Sequence, residues 1–266
     1  LDKPVIIGIL NVTPDSFSDG GQLPTVEAAI EHGEQLTAHG ARLLDVGGES
    51  TRPGATPVPA DEEIARVVPV ISGLVKRGFG AVSVDTRKAD VARAALDAGA
   101  AIVNDVSGLQ FDPALAAVVA RAEVGLILMH MRGTPATMDD LAKYAHVAPE
   151  VAAELATAAD KAERAGIARE RIVVDPGFGF AKTAAQNFRL LDELATIVAL
   201  GYPVAVGLSR KRFLGAATGR PVAERDRATA VACALAAERG ARLFRVHDVA
   251  LTREALALAG ATTNPP

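Results

Sequence analysis

The passage Gly80-Ala81-Val82-Ser83-Val84-Asp85-Thr86, a helical stretch over 89–98, and Ala101-Ile102-Val103-Asn104-Asp105-Val106 reads as strand, helix, strand. Both strands are continuous apolar runs rather than alternating ones, which marks strands covered on both faces of a parallel sheet. Working outward, the same unit repeats. Apolar, β-rich runs occupy 5–12, 41–47, 80–86, 101–106, 124–130, 171–177, 203–209 and 241–248. Helical periodicity fills 26–40, 61–77, 89–98, 113–120, 149–165, 183–200, 226–239 and 252–259. Within 61–77, Ile64, Val67, Val68, Ile71, Leu74 and Val75 recur at three- and four-residue steps, Lys76 and Arg77 close the last turn before Gly78, and Pro69 marks a place to kink. Eight such units in 266 residues predict an α/β protein built as a single (β/α)8 TIM barrel domain over 1–266, with long loops after strands 1 and 2. The competing arrangement, a doubly wound open sheet, lacks its usual marks, because no G-x-G-x-x-G turn follows an early strand and there is no Walker loop.

Composition narrows the function classes. With 49% hydrophobic and 23% charged residues, the chain is neither disordered nor collagenous nor a disulfide-stapled miniprotein. Its net charge of −4, with no Lys/Arg-rich run, argues against nucleic acid as a partner, so any anionic ligand must be held by a local cluster. Cys233 is the lone cysteine, so no internal disulfide is possible, and a reducing, cytoplasmic setting is expected. No signal peptide is read at the start, and no apolar run approaches the roughly 20 residues a membrane helix needs, so no membrane role is expected.

Almost every strand run ends on a polar residue: Asn11, Asp45, Asp85, Asn104 with Asp105, His130, Asp175, Ser209 and His247. Capping and turn formation account for part of this pattern. In a barrel, however, all these ends gather at the C-terminal mouth, where active sites are built. Asp85, Asn104 and Asp175 there suit a planar heterocycle with amidine-like N–H donors and ring acceptors. Asp175-Pro176-Gly177-Phe178-Gly179-Phe180 adds an aromatic beside an acid. Ser209-Arg210-Lys211-Arg212 places three cations at the start of a helix, and Arg245 and His247 alternate on the last strand. Both clusters follow strands 7 and 8, the habitual phosphate site of this fold. The loop 11–21 reads as a lid, and 47–55, with Arg52, as a second mobile clamp. Dedicated metal signals are weak, since His32, His39 and His146 show no ligand spacing. A Mg²⁺ held mainly by ligand phosphates needs only one or two protein oxygens.

Seven segments resemble the bacterial dihydropteroate synthase family, in the family's order. They are 9–20, 45–54, 84–86, 104–108, 175–180, 209–211 and 245–248. The resemblance implies condensation of 6-hydroxymethyl-7,8-dihydropterin diphosphate with 4-aminobenzoate, giving dihydropteroate and pyrophosphate, in an enzyme targeted by sulfonamides. It also implies roles. Asp85, Asn104, Met129, Asp175, Gly207 and Lys211 would hold the pterin. Asn11 would ligate Mg²⁺, and Asn11, Arg245 and His247 would bind the diphosphate. Phe17, Thr51, Arg52, Pro53, Phe178, Gly179 and Arg212 would frame the aminobenzoate pocket. Asp175, Lys211, Arg245 and His247 would carry the chemistry, and a homodimer is implied. Two alternatives compete: a methyltetrahydrofolate:corrinoid methyltransferase sharing the pterin floor, and a non-catalytic pterin-binding paralogue.

Overall fold

A computed structural model describes residues 3–13, 25–51 and 54–263. Its eight strands are β1 (Val5–Asn11), β2 (Leu43–Gly47), β3 (Val82–Asp85), β4 (Ile102–Asp105), β5 (Gly125–Met129), β6 (Ile172–Asp175), β7 (Ala205–Val206) and β8 (Leu243–Val246). They form one parallel sheet in the order β6-β5-β4-β3-β2-β1-β8-β7. A parallel bridge between Val174 and Val204 joins the two ends, so the sheet is a nearly closed barrel, as the repeat predicts.

Period-two alternation sorts each strand between two cores. Outward-facing residues such as Leu10, Leu44, Val46, Val84, Val103, Leu128, Val174 and Phe244 pack against the helices. Inward-facing Ile7, Leu43, Ile127, Ala205 and Leu243 plug the lower barrel. Above that plug the inward residues become polar, and a buried polar layer needs internal partners.

The helices around the sheet are α1 (Val26–Ala38), α2 (Ala60–Lys76), α3 (Ala89–Asp97), α4 (Leu115–Ala122), α5 (Val147–Arg164), α6 (Ala184–Asp192), α7 (Ala195–Val198), α8 (Arg212–Thr218), α9 (Asp226–Glu238) and α10 (Val249–Thr263). Thr25 caps α1 by accepting from the Ala28 N–H, and Thr183 with Gln186 forms a reciprocal capping box on α6. Helix α2 runs through Pro69 as one element, with Asp61, Glu62 and Glu63 in its first turn and Lys76 in its last, charges that suit its dipole. Gly73 lets α2 lie on α1, because a Cβ there would meet Ile30 Cδ1 at 2.2 Å. The continuous helix expected over 183–200 is in fact two, α6 and α7, a division that leaves Leu194 and Ile197 fully buried. The helix expected to begin at Ser209–Arg212 is the short α8.

Candidate active site

The middle layer of the barrel is a closed polar network. Asp45 on β2 is fully buried and accepts from Ser83 Oγ at 2.6 Å, from Asn104 Nδ2 at 2.9 Å and from Arg245 Nε at 2.5 Å. The same guanidinium donates through Nη2 to Asp85 Oδ2 at 2.7 Å. Two carboxylates thus share one cation. Burial pushes the Asp85 carboxyl up to about 7, although Arg245 opposes the shift. Burial also disfavours charge on Arg245, but Asp45 and Asp85 outweigh it and hold the guanidinium more firmly protonated than usual. Asp45 received no role from the sequence, and it is the residue that joins Arg245 to Asn104. Asp105 faces away from this network. Its carboxylate accepts from the backbone of Ser107 and Leu109, so here the turn-forming reading of a strand-end acid holds.

At the mouth, Asp175 ends β6 beside Met129, its register partner on β5. The Asp175 carboxylate accepts from the Gly177 N–H at 2.7 Å, and burial pushes its pKa up to about 6. Gly207 leaves room next to it, since a Cβ there would lie 3.9 Å from Asp175 Oδ2. Lys211, the N-cap of α8, is half-buried. Burial pushes its ammonium down to about 8 against the pull of Asp175. Its Nζ lies 4.0 Å over the Phe180 ring, and its stem covers Gly179. Asp85, Asn104, Met129, Asp175, Gly207 and Lys211 therefore sit together, as expected for a pterin floor.

Phe178 does not belong to that set. It is buried among the barrel-to-helix contacts and stacks on Phe213 with ring centroids 6.1 Å apart. The aromatic at the mouth is Phe180. Gly177 and Gly179 both have positive φ, at 68° and 79°, so the chain does not alternate as a strand would, and the two phenylalanines, which a strand would place on one face, enter different clusters. The glycine at 177 is obligatory for a second reason, because a Cβ would fall 2.0 Å from the His130 carbonyl oxygen.

The three cations after β7 also separate. Arg210 turns away, with a φ of 56°, and binds Asp226 through Nε and Nη2, both at 2.8 Å. Arg212 is exposed and pairs with Asp139 at 2.8 Å. Only Lys211 of the three reaches the mouth, so the expected triple-cation site is corrected to one cation there, near Arg245. His247 exchanges a hydrogen bond with Ser209 Oγ at 2.9 Å through Nδ1.

Asn11 ends β1 facing the same gap above Gly47 as Asp85. A Cβ on Gly47 would lie 3.5 Å from Asn11 Oδ1 and 3.6 Å from Asp85 Oδ2. Among the described residues no cluster of three His, Cys, Asp or Glu side chains could hold a metal. A hard cation taking one amide oxygen here and its other ligands from phosphate and water fits this donor set, whereas a cage-bound metal does not. Phe17, Arg52 and Pro53 lie outside the described residues, and Thr51 is half-buried.

The second loop starts from a charged neck. Glu49 accepts from Arg87 Nη2 at 2.7 Å and pairs with Lys88, which also pairs with Glu63 and donates to the Val58 carbonyl at 2.7 Å. Arg87 in turn stacks on Phe111, 4.1 Å from the ring centroid.

Comparison with known proteins agrees with this geometry. The model of the pterin binding enzyme family matches residues 7–247. The dihydropteroate synthase of Mycobacterium leprae is 49% identical over 96% of this chain and 92% of its own length. The chain belongs to the dihydropteroate synthase family. The Xanthomonas albilineans synthase, solved with 4-aminobenzoic acid, superimposes with a TM-score of 0.93 at 50% identity, covering 100% of this chain and 95% of that one. The Yersinia pestis synthase, solved as a sulfonamide drug complex, gives a TM-score of 0.93 at 39% identity over 98% and 94% of the two chains. No helix among the described residues is long and apolar enough to cross a membrane.

Proposed function

We propose that this dihydropteroate synthase joins 6-hydroxymethyl-7,8-dihydropterin diphosphate to 4-aminobenzoate by a dissociative displacement, with Asp175 facing the carbon that becomes cationic. The observation that carries the reading is the convergence of buried Asp85 and Asp175 with half-buried Lys211 at one barrel mouth beside the gap left by Gly207. A carboxylate accepts from the exocyclic amine and adjacent ring N–H of the pterin, and Asn104 offers both donor and acceptor. Burial has already raised the cost of charge on both acids, so a ligand that donates to them is favoured over solvent.

Arg245 Nε and Nη2 are committed to Asp45 and Asp85, and the Nη1 edge is the part those contacts leave to a diphosphate oxygen. His247 and Asn11 flank the same end. Mg²⁺, held by Asn11, would neutralise charge on the diphosphate leaving group. The C–O bond to the diphosphate breaks with its electron pair leaving on oxygen, and the exocyclic carbon becomes a cation delocalised into the pterin. The Asp175 carboxylate stabilises that cation electrostatically. The lone pair of the arylamine then forms the C–N bond, and the ammonium proton is released. Thr51, Phe180, Gly179 and Lys211 would frame the arylamine, with Phe180 taking the place expected of Phe178.

The expected test is pyrophosphate release by purified protein with Mg²⁺ and both substrates, with competition by a sulfonamide against 4-aminobenzoate. Pterin diphosphate binding without release would favour the non-catalytic paralogue. Work in the cytoplasm fits the lone, buried thiol of Cys233. A homodimer fits the groove of about 750 Å³ lined by Leu214, Ala217, Val231, Leu235 and Leu251 along α8, α9 and α10, where Val231 is 59% exposed.

A further inference from the structure

Behind the mouth lies a buried cation that the reaction above does not use. Lys182 precedes α6 and is only 5% exposed. Its Nζ donates to the carbonyl oxygens of Gly177 and Phe180, both at 3.0 Å, and meets His130 Nδ1 at 3.1 Å. The other nitrogen of His130 lies 2.9 Å from Glu154 Oε2 on α5, and Arg132 Nε donates to Glu154 Oε1 at 3.0 Å. Burial pushes His130 down to about 4, so the ring is neutral, accepts at Nδ1 and donates from Nε2. Three acceptors therefore converge on one lysine nitrogen, and only an ammonium, with three N–H bonds, satisfies them all. The backbone N–H of His130 also donates to the Asp175 carbonyl at 2.9 Å, tying this cluster to the end of β6.

We propose that Lys182 is a positioning residue of the synthase reaction, its buried ammonium clamping the 176–181 turn from beneath and, while protonated, placing a positive charge behind the Asp175 carboxylate. The two clamped carbonyls flank the turn that presents Phe180 to Lys211, and Gly177, which lends its N–H to Asp175, is one of the two residues clamped. Lys182 cannot touch substrate, because the turn itself lies between. The charged groups acting on Asp175 are Lys211 after β7, Lys182 before α6 and Arg245 on β8. Those acting on Lys182 are Asp175, Glu154 on α5, Lys211 and Arg132 after β5, with burial opposing its charge most strongly. Lys182 therefore favours the ionised form of Asp175, the form needed opposite a developing cation.

This inference rests on the role given to Asp175 above, and the test separates the two. The pH dependence of kcat/KM for the pterin diphosphate is measured by pyrophosphate release for the parent, Lys182→Met and Lys182→Gln. Absence of release by the parent would remove the reading of the site. With an active parent, both variants should show the acid limb moved upward by on the order of one pH unit, about a tenfold loss at acidic pH. Lys182→Gln keeps an N–H donor of similar length, so a shift common to both reports the charge and not the hydrogen bonds. An unmoved acid limb, whatever the thermal stability, would overturn the proposal. Should neither variant fold, the 40% exposed Glu154 decides. Glu154→Gln weakens the hold on the Lys182 proton, so it should move the acid limb upward in the same direction by a smaller amount, and an unmoved acid limb would overturn the proposal equally.

Discussion

Replacing Arg245 by methionine should unfold the barrel from its centre outward in energy terms, and the size of the loss follows from the contacts. The guanidinium bonds Asp45 at 2.5 Å and Asp85 at 2.7 Å, with the Arg245 side chain 22% exposed and the two acids 0% and 9%. Removing one partner of a buried ion pair leaves an uncompensated charge, at a cost of ~3–5 kcal/mol. At ~2–4 °C per kcal/mol for a protein of this size, the melting temperature should fall on the order of 10 °C. The loss should depend on pH. Asp85 already sits raised, at about 7, and rises further without the cation. A raised carboxyl binds its proton in the folded state first, so stability is retained below the ordinary carboxylate range and lost as pH climbs through the folded value. Urea unfolding at pH 5 and pH 8 should therefore show the larger deficit at pH 8. Adding Asp45→Asn to Arg245→Met removes one of the stranded acids, so the double variant should be more stable than the sum of the single losses predicts. A single-variant loss under about 1 kcal/mol, or strict additivity, would refute the shared-cation account.

Activity should rise with pH through the range in which Asp175 ionises, near 6, and fall again as Lys211 loses its proton near 8, a bell traced by initial rates of pyrophosphate release. Phe180→Ala should raise KM for 4-aminobenzoate with a small change in stability, whereas Phe178→Ala should cost ~3–5 kcal/mol in urea unfolding through the lost Phe213 stack. Chelation should abolish turnover and added Mg²⁺ restore it, with Asn11→Ala raising the Mg²⁺ concentration required. Val231→Glu on the exposed face of α9 should reduce the mass measured by light scattering from dimer to monomer.

The barrel was legible because its signal is periodic and local: apolar runs, helical spacing and polar strand ends each recur eight times. Asp85, Asn104 and Asp175 were legible for the same reason, since a strand end in a barrel has a known address. What escaped depended on geometry that breaks the period. Two positive-φ glycines around Phe178 send Phe178 and Phe180 to different sides, so residue types alone do not tell which phenylalanine faces the mouth. Arg210 looked available for an anion because its partner, Asp226, lies sixteen positions downstream in another helix. Lys182 stands next to a helix cap and reads as a surface residue, and only the fold of the 176–181 turn over it reveals a buried cation. Asp45 was recognised as a strand end, but its partners come from β3, β4 and β8, and no spacing rule links them.

The neck at Glu49 carries an evolutionary consequence. Glu49 is fastened to Lys88, and Lys88 also holds the carbonyl of Val58, so the segment between leaves and re-enters the scaffold at one shared charge. Ordering such a segment costs only the entropy of a short, already closed ring. The exposed Thr56 and Pro57, just before the neck closes at Val58, can therefore change with little effect on the barrel. Variation there leaves the stability of the frame nearly constant.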